Sequence, residues 1–214
     1  MPRTRIKVCG IMSAEDASAA VAAGADALGV VLAPSPRRLT LGQAEAALVG
    51  VPPFVGRIGV FVDADPAFVA DAVARLALSA VQFHGTESPE ACATAPAPVI
   101  KAFRVRQGFD AAEIERYEGA VAAVLLDAFV PGIAGGTGRT FDWDAARAVP
   151  GWAPLVLAGG LTDVNVGEAV RRLHPFAVDV SSGVEVSPGI KDHDAIRSFV
   201  AAVRAADDEE PQHA

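Results

Sequence analysis

The sequence predicts an α/β fold of the (β/α)8 barrel type, with eight parallel strands inside a ring of helices. Two observations carry this. Short runs rich in Val, Ile and Leu recur along the 214 residues, and Ala-rich stretches with helical spacing fall between them. Such alternation implies a parallel sheet, and eight units give a barrel whose usual size matches this chain at its compact end. A third observation disfavours a doubly wound open sheet. The turn after the first run, "CGIMSAED", has one glycine and so lacks the Gly-rich dinucleotide fingerprint.

The predicted strands are "RIKVC" (5–9), "ALGVVL" (27–32), "RIGVFV" (57–62), "AVQFH" (80–84), "VIKAF" (99–103), "AVLLD" (123–127), "LVLAG" (155–159) and "FAVDV" (176–180). Helices are expected at 13–24, 41–50, 65–77, 88–95, 110–117, 141–149, 163–173 and 192–206. Ser13 with Asp16 resembles a capping box. Asp65–Pro66 and Ser88–Pro89 suit helix starts, and Gly24 suits a helix end. Residues 1–206 are expected to form one barrel domain. The closing acidic segment, 207–214, reads as a disordered tail.

Composition bounds the function. Half of the chain is apolar, enough for a sizeable core, and the net charge is −8. That sign argues against nucleic acid as a main partner, and it requires that any anionic ligand meet positive groups gathered locally. No apolar run reaches the length of a membrane span or a signal peptide. The two cysteines, Cys9 and Cys92, make no disulfide framework, which points to a reducing cytosol. Four scattered histidines and two cysteines show no metal-ligand spacing.

Barrel active sites sit where strands end, and polar residues gather there. The runs end in or near Cys9, Arg37 and Arg38, Asp63, Gln82 and His84, Asp127, Gly159 and Gly160, and the segment Asp179 to Gly183. Glycines past the seventh and eighth strands let backbone N–H groups approach a ligand, and barrels often hold phosphate between those two loops. This makes Gly159, Gly160, Ser182 and Gly183 phosphate-binding candidates. A lone buried cysteine ordinarily only packs. Strand parity, however, puts Cys9 on the face of Lys7 and Arg5, and Asp127 on the face of Leu125 and Ala123. With those faces turned inward, Cys9 and Asp127 oppose one another across the mouth, a geometry for an acid and a base acting on one substrate. Lys7, and Arg5 below it, would pull the thiol pKa down, while burial or nearby anions would hold a proton on Asp127. Arg37 or Arg38 could reach a substrate carboxylate. His84 is either a satisfied histidine or a ligand contact, and Asp179 either holds its loop or meets the substrate. Cys92 packs on a helix.

These motifs together, "IKVCGI", "GADALGVVLAPSPRRLT", "IGVFVD", "VQFHG", "LLDAFVPGIAGGTGRTFDW", "LAGGLT" and "PFAVDVSSGVEVSPGIKDHDAI", resemble the phosphoribosylanthranilate isomerase family from about residue 5 to residue 204. The resemblance implies a barrel without cofactor or metal, acting in tryptophan biosynthesis as a monomer or homodimer. It implies an Amadori rearrangement of N-(5′-phosphoribosyl)anthranilate with Asp127 as general acid and Cys9 as general base. It also implies Arg38 on the anthranilate carboxylate, Asp179 near the site, and phosphate held around Gly159, Gly160, Ser182 and Gly183; His84, at the end of its strand, is taken as a further substrate contact. Rival readings are an aldolase of the same fold working through a Schiff base on Lys7 or Lys101, the related histidine-pathway sugar isomerase, whose base is an aspartate where this chain has Cys9, and a phosphate-binding module that performs no chemistry.

Overall fold

The computed structural model describes residues 3–105, 109–127 and 149–209. Eight parallel strands close in order: β1 (Arg5–Cys9), β2 (Ala27–Val31), β3 (Gly56–Phe61), β4 (Ala80–Phe83), β5 (Val99–Arg104), β6 (Ala123–Asp127), β7 (Leu155–Ala158) and β8 (Ala177–Val180), with β8 pairing back onto β1. Every predicted strand is present, with ends moved by at most one residue. The helices are α1 (Ala14–Ala23), α2 (Leu41–Ala47), α3 (Pro66–Leu76), α4 (Pro89–Ala93), α5 (Ala112–Glu115), α6 (Val166–Leu173) and α7 (His193–Asp208). The helix expected at 141–149 lies outside the described residues apart from its last position.

The predicted caps hold. Ser13 accepts from the Asp16 N–H, Asp65 from Ala67 and Phe68, and Ser88 from Ala91, while Gly24 closes α1 in the left-handed region. Thr40 and Gln43 form a reciprocal capping box at the start of α2, a pairing the sequence reading passed over.

Strand parity sorts the core into two layers. Ile6 and Val8 face outward into the main core with Ile196, Phe199 and Val203 of α7. Val124 and Leu126 pack outward with Ile114. The alternate residues Ala123 and Leu125 fill the barrel interior with Ala102, Val156, Ala158 and Ala177. The interior is thus apolar toward the β6–β7 side and carries polar residues above it.

Two features correct the sequence reading. Helix α7 runs to Asp208, two residues past the expected domain boundary. Asp207 is held there because its carboxylate accepts from the backbone N–H and hydroxyl of Thr4. Residues 210–214 of the expected tail lie outside the described residues. After β8 the chain also makes a 3₁₀ turn (Ser182–Val184) and a small antiparallel pair, β9 (Glu185–Ser187) with β10 (Ile190–Lys191). Among the described residues no helix is long and apolar enough to cross a membrane.

Candidate active site

A cavity of about 270 Å3 opens at the C-terminal ends of the strands. Its lining includes Cys9, His84, Asp127, Gly159, Gly160, Asp179, Ser182 and Gly183. Of the nine residues given catalytic, substrate-binding or phosphate-binding roles above, these eight meet at one place. The ninth, Arg38, is exposed and does not line the cavity; Arg37 does. The turn explains this. The Ser35 hydroxyl accepts from the Arg37 N–H, and residue 38 forms a bridge to Val31 at the end of β2. One arginine is turned toward the mouth and the next away from it.

Cys9 ends β1 with its sulfur against Gly29, its partner on β2. A Cβ on Gly29 would stand 2.8 Å from that sulfur, so the glycine makes room for the thiol. The glycine after Cys9 serves Arg37 rather than open space, since a Cβ on Gly10 would meet Arg37 Cδ at 2.6 Å.

Below the thiol lies a buried polar network. Lys7 and Asp179 are register partners across the β1–β8 seam, and Lys7 Nζ donates to Asp179 Oδ2 at 2.7 Å and to Gln82 Oε1 at 2.9 Å. Gln82 Nε2 is 3.3 Å from His84 Nδ1, and His84 Nε2 is 3.2 Å from Asp127 Oδ2. Asp179 Oδ1 is buried without a hydrogen-bond partner among the described residues.

Burial would push the Lys7 ammonium down, but Asp179 and Cys9 outweigh it and the net shift is upward. Lys7 therefore stays charged. The Cys9 thiol is pushed up, first by burial and then by Asp179, although Lys7 and Lys191 pull the other way. This corrects the expectation of a lowered thiol pKa. Lys7 acts in the anticipated direction, but its charge is already matched by Asp179. Arg5 takes no part, because it is exposed at the far end of β1 over the Phe176 ring, 4.2 Å from the centroid.

At the rim, Arg37 Nε and Nη2 donate to the two oxygens of Glu185 at 2.7 and 2.5 Å, and Lys191 Nζ donates to the same carboxylate at 2.7 Å. Burial would raise the Glu185 pKa, but these donors hold it below its usual value. Glu185 went unnoticed in the sequence because nothing there reveals that the β9–β10 pair folds back to the mouth. Gln82 was visible as a polar residue two before His84 on one strand face, yet its link to Lys7 was not.

The loops after β7 and β8 meet closely. Gly159 and Gly160 both have positive φ, 91° and 65°. A Cβ on Gly183 would lie 1.9 Å from the Leu161 carbonyl oxygen, so only glycine lets the two loops touch.

The lysines offer no ready amine for Schiff-base chemistry. Lys7 is bound as above. Lys101 Nζ donates to the Gly85 carbonyl at 2.8 Å and to Glu87 at 3.0 Å, and it does not line the cavity. Among the described residues no group of three or more His, Cys, Asp or Glu is arranged to hold a metal.

Residues 6–202 match the sequence profile of N-(5′-phosphoribosyl)anthranilate (PRA) isomerase. The N-(5′-phosphoribosyl)anthranilate isomerase of Geobacter sulfurreducens is 52% identical over 197 residues, covering 92% of this chain and 96% of that protein. Among solved structures, the phosphoribosyl anthranilate isomerase of Thermotoga maritima superposes with a TM-score of 0.82 at 41% identity, covering 94% of this chain and 99% of that one. A phosphoribosyl anthranilate isomerase in complex with reduced 1-(o-carboxyphenylamino)-1-deoxyribulose 5-phosphate gives 0.79 at 39% identity with the same coverage. Monomers generated from the dimeric Thermotoga maritima enzyme also give 0.79, at 37% identity and the same coverage.

Proposed function

The chain belongs to the N-(5′-phosphoribosyl)anthranilate isomerase family, and from that membership we propose how its own residues carry the reaction. The family's activity is an isomerisation in tryptophan biosynthesis. It converts N-(5′-phosphoribosyl)anthranilate, an aminoaldose, into the aminoketose 1-(2-carboxyphenylamino)-1-deoxyribulose 5-phosphate. Asp127 is the general acid. Its proton goes to the furanose ring oxygen, the C1′–O bond breaks, and the anthranilate nitrogen lone pair forms the C1′=N bond of a protonated Schiff base. Cys9 is the general base: in its thiolate form, which Lys7 and Lys191 favour against burial and Asp179, it removes the C2′ proton, giving the enolamine. The ketone forms when the 2′-hydroxyl gives up its proton and C1′ gains one.

The observation that carries this reading is that Cys9 and Asp127 line one cavity from different strands, together with phosphate-suited loops. Further features support the binding roles. Arg37, rather than Arg38, reads the anthranilate carboxylate, because it is the arginine at the mouth. The unpartnered, buried Asp179 Oδ1 suits a substrate hydroxyl as its donor, since a buried carboxylate oxygen left without one is costly. The β7 and β8 loops around Gly159, Gly160, Ser182 and Gly183 hold the phosphate, the usual place in this fold. Arg37 and these backbone N–H groups supply the local positive character that the overall charge of −8 denies. The barrel, closed by the helix that ends at Asp208, acts as one catalytic domain. Two free thiols favour a reducing cytosol, and a homodimer is favoured by the dimeric relative.

The test is the fluorescence of freshly made phosphoribosylanthranilate, which decays on conversion. Wild type should consume it. Cys9→Ala and Asp127→Asn should each lose a factor on the order of 10²–10⁴, the usual contribution of a positioned acid or base. Near-full rate in Cys9→Ala would refute the base assignment.

A further inference from the structure

We propose that Gln82 is a positioning residue for the reaction: it fixes His84 in the tautomer that carries its hydrogen on Nε2, so that the ring orients and steadies the Asp127 carboxyl group. This rests on Asp127 being the acid. An ammonium has three donors and no acceptor, so the Gln82 atom 2.9 Å from Lys7 Nζ must be the amide oxygen. The amide orientation, often ambiguous, is settled by that partner. The other end of the amide is then an NH2 group, which only donates, and it faces His84 Nδ1 at 3.3 Å. Nδ1 must therefore accept. A neutral imidazole with Nδ1 as acceptor carries its hydrogen on Nε2, and Nε2 stands 3.2 Å from Asp127 Oδ2.

From Lys7 to His84 each hydrogen bond thus runs in one direction, every group donating to the next, and the His84 Nε2–H is left beside the Asp127 carboxyl group. Placing a hydrogen on Nδ1 would set N–H against N–H at Gln82. The row does not carry protons between Cys9 and Asp127, because an amide in the middle passes a proton only by becoming its imidic form. Its work is orientation. With its hydrogen on Nε2, His84 turns an N–H toward the Asp127 carboxyl group 3.2 Å away, and the same N–H steadies the carboxylate left behind. Asp179 also faces this cluster, with its charge matched by Lys7.

Long-range 1H–15N spectra of the ring nitrogens test the tautomer directly in the wild-type protein, with the His84 signals assigned by their loss in His84→Asn. The expected pattern has Nδ1 without hydrogen and Nε2 protonated. Gln82→Glu presents an acceptor to Nδ1 and should move hydrogen onto that nitrogen. Gln82→Met, which keeps the length and removes both hydrogen bonds, should give mixed tautomers. In both variants kcat should fall about 10- to 100-fold, the range seen when a reacting group is misplaced by about an ångström, while KM changes less than about twofold. Hydrogen on Nδ1 in wild type, an unmoved tautomer in Gln82→Glu, or full kcat with the tautomer altered would each overturn the proposal. An active Asp127→Asn with the expected tautomer would instead overturn the acid assignment, so the two failures are distinct.

Discussion

Lys7→Met removes the positive partner of a carboxylate that stays buried. The two side chains are 5% and 6% exposed and stand 2.7 Å apart. Removing one member of such a buried pair costs about 3–5 kcal/mol, because the remaining charge is left unmatched. For a chain of this length 1 kcal/mol moves the melting midpoint by about 2–4 °C, so a fall on the order of 10 °C is expected in a thermal melt followed by circular dichroism. Replacing both members, Lys7→Met with Asp179→Leu, should recover most of it, since a well-packed apolar pair is often neutral or better. The thiol offers a second reading. Lys7 is the main group pulling the Cys9 pKa down, so its loss should drive that pKa further up. Peptide-resolved alkylation by iodoacetamide across pH would show the Cys9 reaction curve displaced to higher pH, with the Cys92 curve as the internal comparison. A melting change below about 2 °C, a double variant no better than the single one, or an unmoved Cys9 curve would refute the reasoning.

Two further expectations follow from the geometry. Gly183→Ala forces a Cβ to within 1.9 Å of the Leu161 carbonyl oxygen, so the β7 and β8 loops must part. The cost in stability is about 1–3 kcal/mol, and kcat/KM should drop about 10²-fold, mostly through KM in the fluorescence assay; Gly42→Ala, with open space around it, should leave kinetics unchanged. Burial pushes the Cys92 thiol from 9.0 up to about 11, so the folded protein keeps a proton that the unfolded chain loses. Its stabilisation is complete below pH 9 and declines toward pH 11, by at most about 2 kcal/mol. Melting midpoints measured across that range should fall less steeply in Cys92→Ala than in wild type, and parallel slopes would exclude the effect.

Much of the fold was legible because parallel strands buried on both faces read as unbroken apolar runs, and their ends carry the polar residues. Inward parity placed Cys9, Lys7 and Asp127 correctly from spacing alone. What stayed hidden depends on closure and on turns. The Lys7–Asp179 pair exists only because β8 returns to β1 in a particular register, which neither strand encodes alone. The choice of Arg37 over Arg38 follows from a side-chain-capped turn at Ser35, too local for periodicity to resolve. The short strands β9 and β10 are below the length at which alternation signals a sheet, and with them went Glu185. The extent of α7 was missed because an acidic segment was read by composition, whereas Asp207 is fixed by Thr4.

Three side-chain pairs around the mouth join one half of the barrel to the other. Lys7 and Asp179, His84 and Asp127, Arg37 and Glu185 each link a residue of the β1–β4 half to one of the β5–β8 half. The proposed base belongs to the first half, and the proposed acid with the phosphate loops to the second. A half barrel, however well it folded, would hold one reactive group and one end of each of these three pairs. Chemistry here is therefore a property of the closed ring, and any shorter ancestor or engineered fragment would have to pair with its complement before it could move a proton.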